Sequence, residues 1–149
     1  MADPGSIRAW QRIDQTLTTS GRLTEADAVL LADLGVRHVI NLAMVDHPEA
    51  LADEAAVLAG HGMAYSHIPV PFDAPGDDHF AAFCALLATA QRPLHVHCIM
   101  NWRVSAFLYR YHRDVLAMPE AQARALMERQ WSPETASIPQ AAAWARFIA

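Results

Sequence analysis

The chain has 149 residues, of which 53% are hydrophobic and 18% charged, and a formal charge of −5. One domain over residues 1–149 is expected, because a chain this long buries roughly 68–70% of its unfolded surface in a single core. The acidic balance excludes a broad nucleic-acid surface, and no stretch nears the roughly 20 apolar residues of a membrane span.

In chain order, Met1-Ala2-Asp3-Pro4 lacks the basic-then-apolar start of an export signal, so a cytoplasmic protein is expected. Thr24-Glu25-Ala26-Asp27 predicts a helix start, with Thr24 as N-cap and Asp27 at the third helical position. That helix runs to Leu34 and stops at Gly35. Val36 to Leu42 predicts a buried strand. Pro48 suits a first helical position, with Ala50 to Ala59 continuing a helix up to Gly60 and Gly62. Tyr65 to Val70 predicts a second strand, broken by Pro69 and Pro71. Asp77 or Asp78 caps the next helix, whose apolar face is Phe80, Phe83, Cys84 and Leu87. Leu94 to His97 predicts a third strand. Helices follow at about 103–117, 119–130 and 139–148, the last two opened by Pro119 and Pro139.

This alternation predicts an α/β three-layer sandwich, with helices flanking a mostly parallel central sheet of four to five strands. Sites in such sheets form at the carboxyl ends of strands. Three loops lie there: Ala43–His47, Pro69–Gly76 and the loop that starts at Cys98. The acidic, proline-punctuated run from Pro71 to Asp78 is therefore expected to overhang Cys98.

The chemistry concentrates in His97-Cys98-Ile99-Met100-Asn101-Trp102-Arg103-Val104-Ser105. A thiol between a strand and a helix N-terminus faces backbone N–H groups suited to a tetrahedral anion. Free cysteine titrates near 8.5, and a helix N-terminus beside an arginine lowers this to roughly 3.5–7.5, so Cys98 is expected to be a thiolate. The N–H groups of Ile99, Met100, Asn101, Trp102 and Arg103 can cradle phosphoryl oxygens. Arg103 adds a bidentate clamp that lysine cannot reproduce. Attack by the thiolate gives a phosphocysteine, splitting hydrolysis into two easier steps. The leaving oxygen needs a proton, for which Asp73 is the candidate and Asp77 and Asp78 are weaker ones. No metal or other cofactor is required, because loop and arginine supply the charge stabilisation. The loop's length leaves phosphate and sulfur chemistry both open.

The plainer readings limit this list. A lone cysteine is ordinarily an inert core residue, which suffices for Cys84. With only two cysteines there is no disulfide framework. Acidic residues in Pro/Gly loops are ordinarily solvated turn residues, so Asp73 weighs evenly between the two readings. His95 and His97 share one strand face beside Cys98 and raise a zinc site, yet no second cluster supplies partners. His97 is expected to buttress the loop by hydrogen bonding and His95 to pack. The other six histidines read as surface or cap residues, and Trp102 reads equally as a substrate-facing wall or a packing residue.

From His97-Cys98 to Arg103-Val104-Ser105 the chain resembles the cysteine-dependent protein tyrosine and dual-specificity phosphatases. Their signature is His-Cys, five residues, Arg, then Ser or Thr. Thr19-Ser20-Gly21, Val39-Ile40-Asn41-Leu42, His67-Ile68-Pro69-Val70 and the Trp131, Pro133, Trp144, Phe147-Ile148 tail are similar to a small bacterial group of tyrosine-phosphatase-like proteins. Together these matches cover residues 14–149. The resemblance implies a metal-independent phosphatase acting on a phosphorylated protein or small phosphomonoester. It implies Cys98 as nucleophile, Arg103 as phosphate-binding arginine and Asp73 as general acid. Ser105 would help the thiolate leave, and His97 would orient the loop and tune the thiol.

The chain departs from the signature in one place: four residues, not five, separate Cys98 from Arg103, while Ser105 keeps its spacing of seven. Either the loop is one residue short, or the arginine is rotated by about 100° around the helix start. Asn101 stands where a left-handed glycine is usual. A shorter loop is also similar to that of rhodanese-like sulfurtransferases, which carry a persulfide. A third reading is a phosphate-binding module without turnover.

Overall fold

The computed structural model describes residues 2–149; Met1, with which the leader reading begins, lies outside them. Strands β1 (Gln11–Asp14) and β2 (Leu17–Ser20) form an antiparallel hairpin. Parallel strands β3 (His38–Asn41), β4 (Ala64–His67) and β5 (Leu94–His97) complete one sheet, in the order β1-β2-β5-β3-β4. Strand β5 lies in the middle, so Cys98 leaves the sheet from its centre. The hairpin is invisible to hydrophobic pattern because Gln11, Thr18, Thr19 and Ser20 are polar yet buried.

Helix α1 (Glu25–Asp33) opens on the expected capping box: Asp27 N–H donates to Thr24 Oγ1 at 3.2 Å, and Thr24 N–H to Asp27 Oδ2 at 2.9 Å. Gly35 follows at φ +83°. Helix α2 (Glu54–Gly60) starts later than predicted. Pro48 lies in a turn instead, where Glu49 N–H donates to His47 Nδ1 and Ala50 N–H to the His47 carbonyl, both at 3.0 Å. Helix α3 (Asp77–Thr89) is capped by Gly76 rather than by an aspartate. The Gly76 N–H donates to His79 Nδ1 at 3.2 Å, and Asp77 and Asp78 occupy the first turn, where negative charge suits the helix dipole. Its face is as predicted, with Phe83 and Leu87 buried and Phe80 and Cys84 partly so. Burial pushes the Cys84 thiol up, away from reactivity.

Helix α4 (Trp102–Arg110) passes into a single π turn at Tyr111–Val115. Helices α5 (Glu120–Glu128) and α6 (Ala141–Ile148) begin just after Pro119 and Gln140. Side chains alternate across the sheet. Val39 packs with Leu31 of α1 and Leu58 of α2 on one face. Ile40 and Val96 pack with Phe83, Phe107 and Trp144 of the remaining helices on the other. That is the three-layer sandwich the sequence predicts. No helix among the described residues is long and apolar enough to cross a membrane.

Candidate active site

The cysteine loop is held from the β2 side. Cys98 N–H donates to the Ser20 carbonyl at 3.4 Å, and the Ile99 carbonyl accepts from Arg22 N–H at 2.9 Å. Asn101 takes the left-handed conformation expected of it, at φ +68°. Its Nδ2 donates to the Ala9 carbonyl at 2.9 Å and to Thr19 Oγ1 at 3.0 Å, which fixes the turn into α4. With the Ile99 carbonyl turned outward, the N–H groups of Ile99 through Arg103 meet no protein acceptor among the described residues. A run of free donors at a helix start has the chemistry to cradle an anion.

Gly21 makes this approach possible, since a Cβ built there would overlap the Ile99 carbonyl oxygen, which is backbone and cannot swing aside. Gly21→Ala is expected to cost about 1–3 kcal/mol by overpacking. Urea unfolding should show the lowered midpoint, and an unchanged midpoint would mean that the loop yields freely.

Two histidines on β5 support the loop from behind. His95 is fully buried, with Nδ1 2.8 Å from Thr18 Oγ1 and Nε2 2.8 Å from Ser20 Oγ. The Ser20 hydroxyl proton goes to the Gly21 carbonyl, so Ser20 accepts from His95 Nε2–H and Thr18 donates to Nδ1. Burial, helped by the charge of His97, holds His95 well below its ordinary range, so the ring is neutral. It also stacks on Trp10 at 5.3 Å. His97 makes the expected buttress, with Nδ1 3.1 Å from the Cys98 carbonyl oxygen. Its other nitrogen meets Glu54, a residue that nothing in the sequence singles out. Of the other histidines expected at surfaces or caps, His112 is instead buried within the π turn.

Cys98 and Arg103 line one cavity of about 340 Å³, together with Ile99, Met100, Trp102, Phe72, Met44, Asp46 and His47. The early arginine therefore still reaches the cysteine's cavity. Its Nη1 donates to the Val70 carbonyl at 2.9 Å, and its guanidinium carbon lies 5.5 Å from the Phe72 ring centre. Those contacts restrain the side chain and, among the described residues, leave other N–H donors of the guanidinium uncommitted.

The other expected residues scatter. Asp73 is exposed and lines a neighbouring cavity of about 590 Å³ with Asp77, Arg110 and Arg146. The carboxylate on the cysteine's own cavity is Asp46, from the Ala43–His47 loop. Asp78 is exposed on the first turn of α3. Ser105 does not line the cavity; its hydroxyl donates to the Trp102 carbonyl at 3.1 Å. Trp102 both lines the cavity and packs, stacking on Trp131 at 5.2 Å.

An aromatic cluster fixes the cavity walls. Trp131 Nε1 donates to the Trp102 carbonyl at 2.9 Å, and Trp144 Nε1 to the Phe72 carbonyl at 2.6 Å. Phe72 itself lies 5.8–6.1 Å, centre to centre, from Trp102, Trp131 and Trp144.

No protein-family model matches the chain, and no curated protein matches it in sequence. Solved structures do. A candidate phosphatase (DUF442) from Shewanella putrefaciens CN-32 is similar at 31% identity and TM-score 0.79, over 96% of this chain and 92% of that one. TpbA from P. aeruginosa, solved in complex with phosphotyrosine, matches at 21% identity and TM-score 0.75, over 98% and 87%. Tk-PTP in its active form matches at 14% identity and TM-score 0.69, over 94% and 95%. The last two show the fold alone. The first shows the family: the chain belongs to the DUF442 phosphatase-like proteins, built on the fold of the cysteine-based tyrosine and dual-specificity phosphatases.

Proposed function

We propose that the protein hydrolyses phosphomonoesters, aryl phosphates such as phosphotyrosine foremost, through a phosphocysteine on Cys98. One observation carries this reading: Cys98 and Arg103 line a single cavity with Ile99, Met100 and Trp102, in a loop whose N–H groups meet no protein acceptor among the described residues. The phosphoryl group sits in the N–H run with the Arg103 guanidinium against its oxygens. A bond forms between Cys98 Sγ and phosphorus as the ester P–O bond breaks. Water then attacks phosphorus, inorganic phosphate leaves, and the thiolate is restored. The walls favour an aryl ester, since Phe72, Trp102, Met44 and Met100 present apolar and aromatic faces to the leaving group. The phosphotyrosine bound by TpbA supports the same substrate class.

Turnover of p-nitrophenyl phosphate that resists chelators and is blocked by vanadate is the expected result. Thiocyanate formed from thiosulfate and cyanide would instead favour the sulfurtransferase reading. Stabilisation by phosphate without turnover would favour a binding module.

The leaving oxygen's proton comes from Asp73 in this reading, delivered by the loop that Phe72 anchors. Asp46 is the second reading, favoured by its position on the cysteine's own cavity. Phenyl phosphate, a poor leaving group, separates them. Asp73→Asn is expected to lower its rate by about 10²–10⁴, with a smaller loss on p-nitrophenyl phosphate. If Asp46→Asn brings that loss and Asp73→Asn does not, the role passes to Asp46.

A further inference from the structure

Glu54 opens α2 and is 7% exposed, although the cavity does not use it and no cap needs it. Its Oε2 lies 2.6 Å from His97 Nε2, and His97 is 2% exposed. On the other side His97 Nδ1 faces the Cys98 carbonyl oxygen at 3.1 Å. A carbonyl can only accept, and so can an ionised carboxylate, so both ring nitrogens must donate to satisfy both contacts. With Glu54 ionised, the ring that does so would be the imidazolium, with Glu54 as its counter-charge. Each charge makes the burial of the other tolerable, because an unpaired buried ion would neutralise instead.

The carboxylate follows directly on a left-handed residue. Asp53, just before Glu54, sits at φ +52°, a conformation costly for a residue with a Cβ. Two titratable groups packed near the pair, His95 and Tyr65, are neutral. His95, with its ring 6.4 Å from that of His97, is neutral for the reasons above. Tyr65 on β4 accepts from Asn41 Nδ2 at 3.1 Å, and burial, with the charge of Glu54 adding to it, holds its hydroxyl above the ordinary range.

We propose that Glu54 is a positioning residue for the Cys98 loop. It holds His97 as the doubly donating imidazolium, which pins the Cys98 carbonyl and keeps the sulfur and the following N–H run aimed into the cavity. A positive charge is thereby fixed one peptide unit from the attacking sulfur, without touching substrate. The kinetic consequence rests on the phosphatase reading; the protonation state does not.

Glu54→Gln isolates the charge. The amide keeps the shape and can donate to Nε2, which leaves His97 neutral with its Nδ1–H still on the carbonyl. Heteronuclear NMR of the imidazole nitrogens is expected to show both protonated in the wild type at neutral pH, and only one in the variant. Alkylation of Cys98 by iodoacetamide should slow in the variant. On p-nitrophenyl phosphate, kcat should fall about 10–100-fold, the range for removing the carboxylate behind a metal-bound histidine. KM should stay within about two-fold, as for an interaction made in the transition state. A singly protonated His97 in the wild type overturns the proposal, and so does a variant with unchanged alkylation and kcat. The wild-type spectrum needs no substitution, so a variant that failed to fold would not hide the answer. Wild-type protein without turnover would sink the phosphatase reading, while NMR and alkylation still decide the role of Glu54.

Discussion

Cys98→Ser is expected to abolish turnover of p-nitrophenyl phosphate, a loss of at least about 10⁴-fold, as for other removed nucleophiles. The fold should survive. Cys98 is 1% exposed at the junction of the main core and the cavity, and serine differs little in volume. A buried hydroxyl costs about 1–3 kcal/mol only where it finds no partner, and the free N–H groups beside it can serve as donors to its oxygen. The variant should therefore unfold in urea close to the wild type and still bind an aryl phosphate, since cradle and arginine are intact. Activity that survives the substitution would remove the phosphocysteine from the mechanism.

The second large effect belongs to Arg103. Arg103→Lys keeps the charge but loses the planar fork, so it cannot meet the Val70 carbonyl and two phosphoryl oxygens together. Loss of one oriented donor to a developing charge costs about 10²–10³ in kcat. That is the expected fall, and vanadate affinity should weaken with it. Vanadate binding at wild-type strength would detach the guanidinium from the phosphoryl group. The result would also interpret the shortened spacing. A large loss means that the arginine one place early still performs the clamp, held there by Val70 and the Phe72 ring.

Much of this molecule is legible without coordinates wherever the cause is local. The capping box of Thr24 and Asp27, the stop at Gly35, the central strand into Cys98 and the left-handed Asn101 all follow from neighbouring residues. The β1–β2 hairpin does not, because its buried polar residues are satisfied at a distance: Thr18 and Ser20 by His95, Thr19 by Asn101. The late start of α2 comes at Asp53, a left-handed N-cap whose choice over Pro48 is set by the loop path rather than by pattern.

The site divides the same way. Cys98, His97 and Arg103 sit on one short stretch and announce themselves. The Ala43–His47 loop is identifiable as a strand end, but that its Asp46 rather than Asp73 lines the cavity depends on loop paths. Glu54 is one of several acidic residues in its region of the chain. Only the fold, which sets the first residue of α2 against the last residue of β5, gives it a partner.

The tryptophan cluster has a consequence for the order of events during synthesis. Chains emerge from the amino end, so β5 and the cysteine loop are available before Trp131 and Trp144. Yet those two side chains tie down the carbonyls of Trp102 and Phe72, the walls between which a substrate ring would lie. A growing polypeptide that has already extruded Cys98 therefore has a thiol and a cradle but no finished pocket. On the proposed mechanism, the pocket for a substrate ring is complete only once α6 has docked.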